Sequence, residues 1–236
     1  MARRSYVLVH GAWHGGWCWA AVEARLAACG ESAYALTLSG LAHRQDRRPR
    51  EIDADRHVLD VAQFVETLDL ERVVLVLHSY SGVLGPALLG RLRGRVVGLR
   101  LIEAALAAPG QALLDAVPPA AAQRYRETAY DRGDGLLIPP PDPRQFHIAD
   151  PALAAAIGAR LTPQPWRTFA EPVSLPGAAL RDHGGAYLIA TDRDPQPYLD
   201  CADQLALAGW RVDRVPGGHE LMQTNPAAVV DFLRHA

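Results

Sequence analysis

The chain contains no lysine: all 24 of its basic residues are arginine. Schiff-base catalysis and a lysine general base are therefore excluded. Cysteine is scarce as well. Cys18, Cys29 and Cys201 form an odd, scattered set that suits no disulfide framework, so reduced thiols are expected. No apolar run approaches membrane-spanning length, and the apolar stretch behind the basic Met1–Ser5 segment is too short for a secretory signal. A soluble cytoplasmic protein is the expectation. There is no marked excess of either sign: the formal net charge is −2, which offers nothing to nucleic acid or an anionic membrane. With no internal repeat or low-complexity linker, 236 residues at 49% hydrophobic content suit one α/β domain with a sizeable core.

What is present is a strand, a serine and a turn. Val73–Leu77 is an unbroken, mostly β-branched apolar run, the pattern of a parallel strand buried on both faces. His78-Ser79-Tyr80-Ser81-Gly82 follows directly, ahead of a predicted helix over Val83–Leu92. Small residues at Ser81 and Gly82 let the chain reverse and expose the Ser79 hydroxyl at the carboxyl end of the sheet. The first glycine of the G-x-S-x-G pattern is replaced by Leu77, so the surroundings have to support the reading.

They do so in chain order. Near the start, the strand Tyr6–Val9 runs into His10-Gly11-Ala12-Trp13-His14-Gly15-Gly16-Trp17. A loop this rich in glycine brings backbone N–H groups close to a ligand, and the N–H groups of Ala12 and Tyr80 are the candidate oxyanion hole. His10 and His14 have the spacing of two ligands on a helix, but Gly11, Gly15 and Gly16 argue against a helix there, and no metal is expected. Further on, the strand Ala186–Thr191 ends in Asp192-Arg193-Asp194-Pro195, and the strand Trp210–Val215 leads to Pro216-Gly217-Gly218-His219-Glu220. An acid at one strand end and a histidine on the next loop complete the order serine, aspartate, histidine. Asp192 and Glu103, the latter at the end of a predicted strand over Val96–Leu106, compete with Asp194 for the acid's role.

Between about residues 107 and 183 the texture changes. This stretch holds 12 of the 18 prolines, in clusters such as Pro139-Pro140-Pro141-Asp142-Pro143 that forbid a continuous helix or strand. Shorter helices are predicted over Ala120–Tyr130 and Pro151–Leu161. The stretch reads as a cap inserted into the domain, with Trp166 and Phe169, joined by Trp13 of the first loop, as apolar walls of a substrate pocket. Asp53–Leu68 is a predicted sheet-packing helix. Asn225-Pro226 is a credible start for a last helix over Ala227–His235. The arginine-rich stretch Arg44–Arg50 reads as a solvated loop.

Taken together, the His10–Trp19 segment, the elbow at Ser79, Thr191-Asp192-Arg193-Asp194 and Gly217-Gly218-His219 resemble the esterase and hydroxynitrile lyase branch of the α/β-hydrolase superfamily, which includes plant methylesterases and bacterial relatives. The resemblance spans the chain in outline and is tight around these four motifs. It implies an α/β-hydrolase fold, with a mostly parallel doubly wound sheet and an inserted helical cap, and a triad of Ser79, Asp194 and His219. Asp194 is preferred to Asp192 because the branch usually takes its acid from the second aspartate of such a stretch. Lyases that resemble this chain carry a lysine beside the catalytic histidine and commonly a threonine after the first loop histidine. Glu220 and Gly11 stand there instead, which favours ester hydrolysis.

The chemistry then expected is that of a serine hydrolase without a cofactor, acting on small to medium apolar carboxylic esters. His219 takes the proton as Ser79 attacks, Asp194 fixes the imidazole tautomer, and water releases the acyl-enzyme. Activity should rise with pH as the histidine base loses its proton. A lyase or cyclase using the same triad, and a ligand-binding receptor on a retained scaffold, are the alternatives. The partner is a small-molecule ester, with a homodimer through the cap or an edge strand as the one assembly in view.

Overall fold

The structure is a computed structural model that describes residues 4–45, 48–108, 110–192 and 198–235. Six parallel strands form its main sheet: β1 (Ser5–Val9), β2 (Ser32–Leu36), β3 (Val73–His78), β4 (Val96–Ile102), β7 (Ala186–Ala190) and β8 (Arg211–Val215). Their spatial order is β2-β1-β3-β4-β7-β8. A separate antiparallel ribbon pairs β5 (Leu137–Ile138) with β6 (Gln164–Pro165) inside the segment between β4 and β7.

The central strands are buried on both faces because helices cover each side, which explains their continuous apolar sequences. On one face Val7, Leu75, Leu77, Leu101 and Ile189 pack with α2 (Ala54–Thr67), α3 (Gly85–Arg91) and α9 (Tyr198–Leu207). On the other, Tyr6, Leu8, Val76 and Leu188 meet α1 (Ala20–Ala28) and α11 (Pro226–His235). The sheet is thus doubly wound, as the sequence predicts.

Local signals set the helix ends. Asp53 caps α2 by accepting from the Arg56 N–H at 2.9 Å, and the Asn225 side chain accepts from the Ala228 N–H at 3.3 Å at the start of α11. The helix predicted over Val83–Leu92 begins differently. A 3₁₀ segment over Ser79–Leu84 precedes α3, because the reversal after β3 is tight and Pro86, in the first turn of α3, has no N–H to donate.

The segment between β4 and β7 consists of short helices and turns, among them α5 (Pro119–Arg132), α6 (Pro151–Gly158) and α7 (Arg167–Ala170). It sends Phe146, Ile157 and Phe169 into the core on the α2 side. Cys18, Cys29 and Cys201 are free thiols. Among the described residues, no helix is long and apolar enough to cross a membrane.

Candidate active site

Strand β3 delivers Ser79 in a left-handed backbone conformation, with φ of 52°, uncommon for a residue with a side chain. The surroundings hold it there. The Ser81 hydroxyl donates to the Val9 carbonyl at 3.1 Å and accepts from the His78 N–H at 2.8 Å, while the Ser79 carbonyl accepts from the Ala105 N–H at 3.0 Å. Gly82 is required at this crossing, since a β-carbon there would stand 2.3 Å from the Ala105 carbonyl oxygen. Gly11 serves the opposing loop: a β-carbon on it would meet Ser79 Cβ at 2.9 Å.

The loop after β8 brings His219 onto the serine. Its Nε2 lies 2.9 Å from Ser79 Oγ, and its Nδ1 lies 3.2 Å from Glu103 Oε2. Ser79 and His219, 140 residues apart, are thus brought within hydrogen-bond distance. The carboxylate described at Nδ1 is that of Glu103, one of the two competitors named for the acid's role. Asp194 lies outside the described residues, and Asp192 is exposed.

Glu103 fits the position for clear reasons. It stands at the end of β4, the sheet neighbour of β3, and is fully buried. Its Oε1 accepts from the Ala190 N–H at 2.8 Å, its own N–H donates to Leu188 at 3.0 Å, and its φ of 46° is again left-handed. With Nε2 turned to accept from the Ser79 hydroxyl, the ring proton sits on Nδ1, which donates a hydrogen bond to Glu103.

The opposing loop is fixed by histidines. His10 Nδ1–H donates to the Gly11 carbonyl at 2.7 Å while its Nε2 accepts from the Leu38 N–H at 3.1 Å, so its tautomer is set. Burial, only partly offset by the Gly11 carbonyl, drives its pKa down to about 3 and keeps the ring neutral. The Gly11–Ala12 peptide is thereby held from its carbonyl side, with the Ala12 N–H at its other side. Trp13, at φ 64°, gives its N–H to Gln164 Oε1 at 3.0 Å, its carbonyl to the Thr162 N–H at 2.9 Å and its indole N–H to the Ile138 carbonyl at 3.0 Å. Three backbone or side-chain groups of the β4–β7 segment thus grip one residue of this loop.

Tyr80, the other expected oxyanion residue, is buried and anchored by its hydroxyl, which donates to His57 Nδ1 at 2.9 Å. His57 Nε2–H in turn donates to the Ser39 carbonyl at 2.9 Å.

Of the expected pocket walls, Trp13 and Phe169 come together, with ring centroids 5.7 Å apart. Tyr125 joins both, and Phe169 stacks on Tyr80 at 5.6 Å. Trp166 points elsewhere and pairs with Tyr130. Phe146 and Tyr198 flank the His219 ring at 6.1 and 5.5 Å. Tyr125, Tyr198 and Gln164 carried no local motif that sequence reasoning could have used.

His78, Glu220 and His219 bring potential ligand atoms within 4.8 Å of one another. Both His219 nitrogens are already engaged, however, and His78 Nε2–H donates to the His219 carbonyl at 3.0 Å. Burial drives the His78 pKa to about 3. At Glu220 burial works to raise the pKa, but His14, then His78 and His219, outweigh it and hold the carboxyl below the usual range.

Known proteins are similar to this chain in sequence and in fold. The carbendazim hydrolyzing esterase of Nocardioides sp. (strain SG-4G) is 29% identical over 97% of this chain and 98% of its own. Methylesterase 10 of Arabidopsis thaliana is 40% identical over a shorter stretch, 33% of this chain and 29% of that protein. Among solved structures, an extracellular α/β-hydrolase from a Paenibacillus species superposes with a TM-score of 0.83 at 17% identity, covering 98% of both chains. Methylketone synthase I from tomato gives 0.80 at 15% identity, over 99% of this chain and 97% of that one. The profile of the alpha/beta hydrolase family matches residues 6–232, so this chain belongs to that family, as a hydrolase of the carboxylesterase type.

Proposed function

We propose that the chain hydrolyses small to medium apolar carboxylic esters through an acyl-enzyme on Ser79. The observation that carries this reading is the connected line Ser79 Oγ, His219, Glu103, at 2.9 and 3.2 Å. His219 Nε2 accepts the serine proton as Oγ attacks the ester carbonyl, and Glu103 stabilises the imidazolium that results. The new oxyanion is met by the N–H groups of Ala12 and Tyr80. Of the N–H groups in the first loop, Trp13's is spent on Gln164, and Ala12 follows the held Gly11 carbonyl. His219 then protonates the leaving alcohol, and a water deacylates the serine with the same base.

The aromatic group of Trp13, Phe169 and Tyr125 supplies an apolar cap surface for the acyl part. Methylesterases among the relatives favour a small alcohol, such as methanol, as leaving group. The test is Ser79→Ala assayed on methyl and aryl esters, beside labelling by a fluorophosphonate. The expected outcome is a folded variant that takes no label and loses turnover by roughly 10⁴-fold or more. Unchanged hydrolysis in that variant would remove the reading.

A further inference from the structure

Glu220 has no part in the mechanism above, yet its carboxylate is almost fully buried directly behind the catalytic histidine. A buried charge needs a partner. Three histidines surround it, and their hydrogen bonds decide which one can serve. The His219 nitrogens face Ser79 and Glu103. His78 gives its Nε2 proton to the His219 carbonyl, and with its ring neutral it has none left. His14 remains: its Nε2 lies 3.4 Å from Glu220 Oε2, and both side chains are at most 2% exposed.

The other nitrogen of His14 sets the proton count. Its Nδ1 lies 2.8 Å from the Ala12 carbonyl, which can only accept, so Nδ1 carries a proton. A neutral His14 would then present a bare lone pair at Nε2 to a carboxylate, two buried acceptors face to face. One further proton on either partner resolves the conflict. Gln223, which donates to the same Glu220 oxygen at 3.3 Å, cannot supply it to His14.

We propose that His14 and Glu220 share one buried proton and act as a positioning pair, tying the Ala12 carbonyl, and with it the oxyanion loop, to the loop of the catalytic histidine. The line Glu220, His14, Ala12 runs beside the line Glu103, His219, Ser79, and residues 219 and 220 are adjacent. Gln164 grips the Trp13 N–H at the other end of the Ala12–Trp13 peptide, and His10 holds the preceding one. Ala12 thus sits between two fixed peptides, one of which depends on the pair. The catalytic half of this inference rests on the serine-hydrolase reading, while the shared proton does not.

The test has two parts. In the full-length wild-type chain at pH 7.5, ¹⁵N NMR of the His14 ring and infrared spectroscopy of the Glu220 carboxyl locate the proton. An imidazolium at His14 or a protonated carboxyl at Glu220 supports the pair; a neutral ring beside an ionised carboxylate overturns it. Glu220→Gln, His14→Gln and the double variant are then assayed on one aryl ester. Each should lose about tenfold to a hundredfold in kcat with KM within about twofold, less than the loss of a whole oxyanion donor. The double should be no worse than either single variant, the mark of groups acting as a unit. Full kcat in the single variants, or losses that multiply, would overturn the positioning role. Failure of the wild type to label at Ser79 would instead strike the hydrolase reading, and a variant that does not fold leaves the wild-type spectra to decide.

Discussion

The backbone N–H of His219 donates to the carbonyl of Phe146 at 2.9 Å, so the loop that carries the imidazole hangs from the segment between β4 and β7. Gly218 permits this crossing. A β-carbon there would stand 2.2 Å from the His147 carbonyl oxygen and 2.4 Å from that of Phe146, and backbone atoms cannot swing aside as a side chain can. Gly218→Ala should therefore push the loop away from the serine. A displacement near 1 Å at a reacting group costs on the order of a hundredfold, so kcat should fall by about that factor. Steady-state kinetics and the rate of fluorophosphonate labelling check it; a fully active variant would show that the crossing has slack.

Glu103 and Asp194 make opposite predictions under substitution. Glu103→Gln keeps the size of the side chain but removes the charge that stabilises the imidazolium and selects the tautomer. A loss of about 10³- to 10⁴-fold in kcat is expected. Asp194→Asn should stay within about twofold of wild type. The reverse order would return the acid's role to the loop after β7.

Local sequence announces some of these features and not others. Ser79 and His219 were legible because each is announced locally, by an apolar strand running into a small-residue turn and by a glycine-rich loop after a strand. The parallel, doubly wound sheet was legible for the same reason: burial on both faces leaves runs such as Val73–Leu77 with no polar alternation. The carboxylate beside His219 Nδ1 was not, because two strand ends offer one; the spatial order β3-β4-β7 places Glu103 next to the serine strand, and Asp194 lies outside the described residues. Gln164 was invisible altogether. Its bond to Trp13 spans 151 residues and has no sequence period to reveal it.

Acid stability should report the buried histidines. In the folded chain burial lowers the pKa of His10 and of His78 to about 3, below the usual value of 6.5, and lowers that of His57 as well. Between those limits the unfolded chain binds protons that the folded chain refuses, so stability is complete above pH 6.5 and is lost as pH falls toward 3. From pH 6 to pH 5, before most carboxylates titrate, the unfolding free energy should drop by about 1.4 kcal/mol per pH unit for His10 and again for His78. Urea denaturation at intervals of half a pH unit measures the slope. A flat profile across this window would mean that these rings are protonated in the folded protein.

Tyr80→Phe separates what the tyrosine's backbone does from what its ring does. The ring hydroxyl donates to His57 Nδ1, and burial raises the phenol's pKa, so the proton stays in place at working pH. Because His57 commits its other nitrogen to the Ser39 carbonyl, loss of the hydroxyl leaves Nδ1 a buried acceptor without a donor from Tyr80. That costs about 1–3 kcal/mol. The Tyr80 N–H, the proposed oxyanion donor, is untouched, and Phe keeps the stacking contact with Phe169. The variant should therefore unfold at lower urea while its kcat on an aryl ester stays within about threefold of wild type, far from the hundredfold or larger loss that follows removal of an oxyanion donor. Loss of kcat at full stability would instead mean that the hydroxyl reaches the substrate.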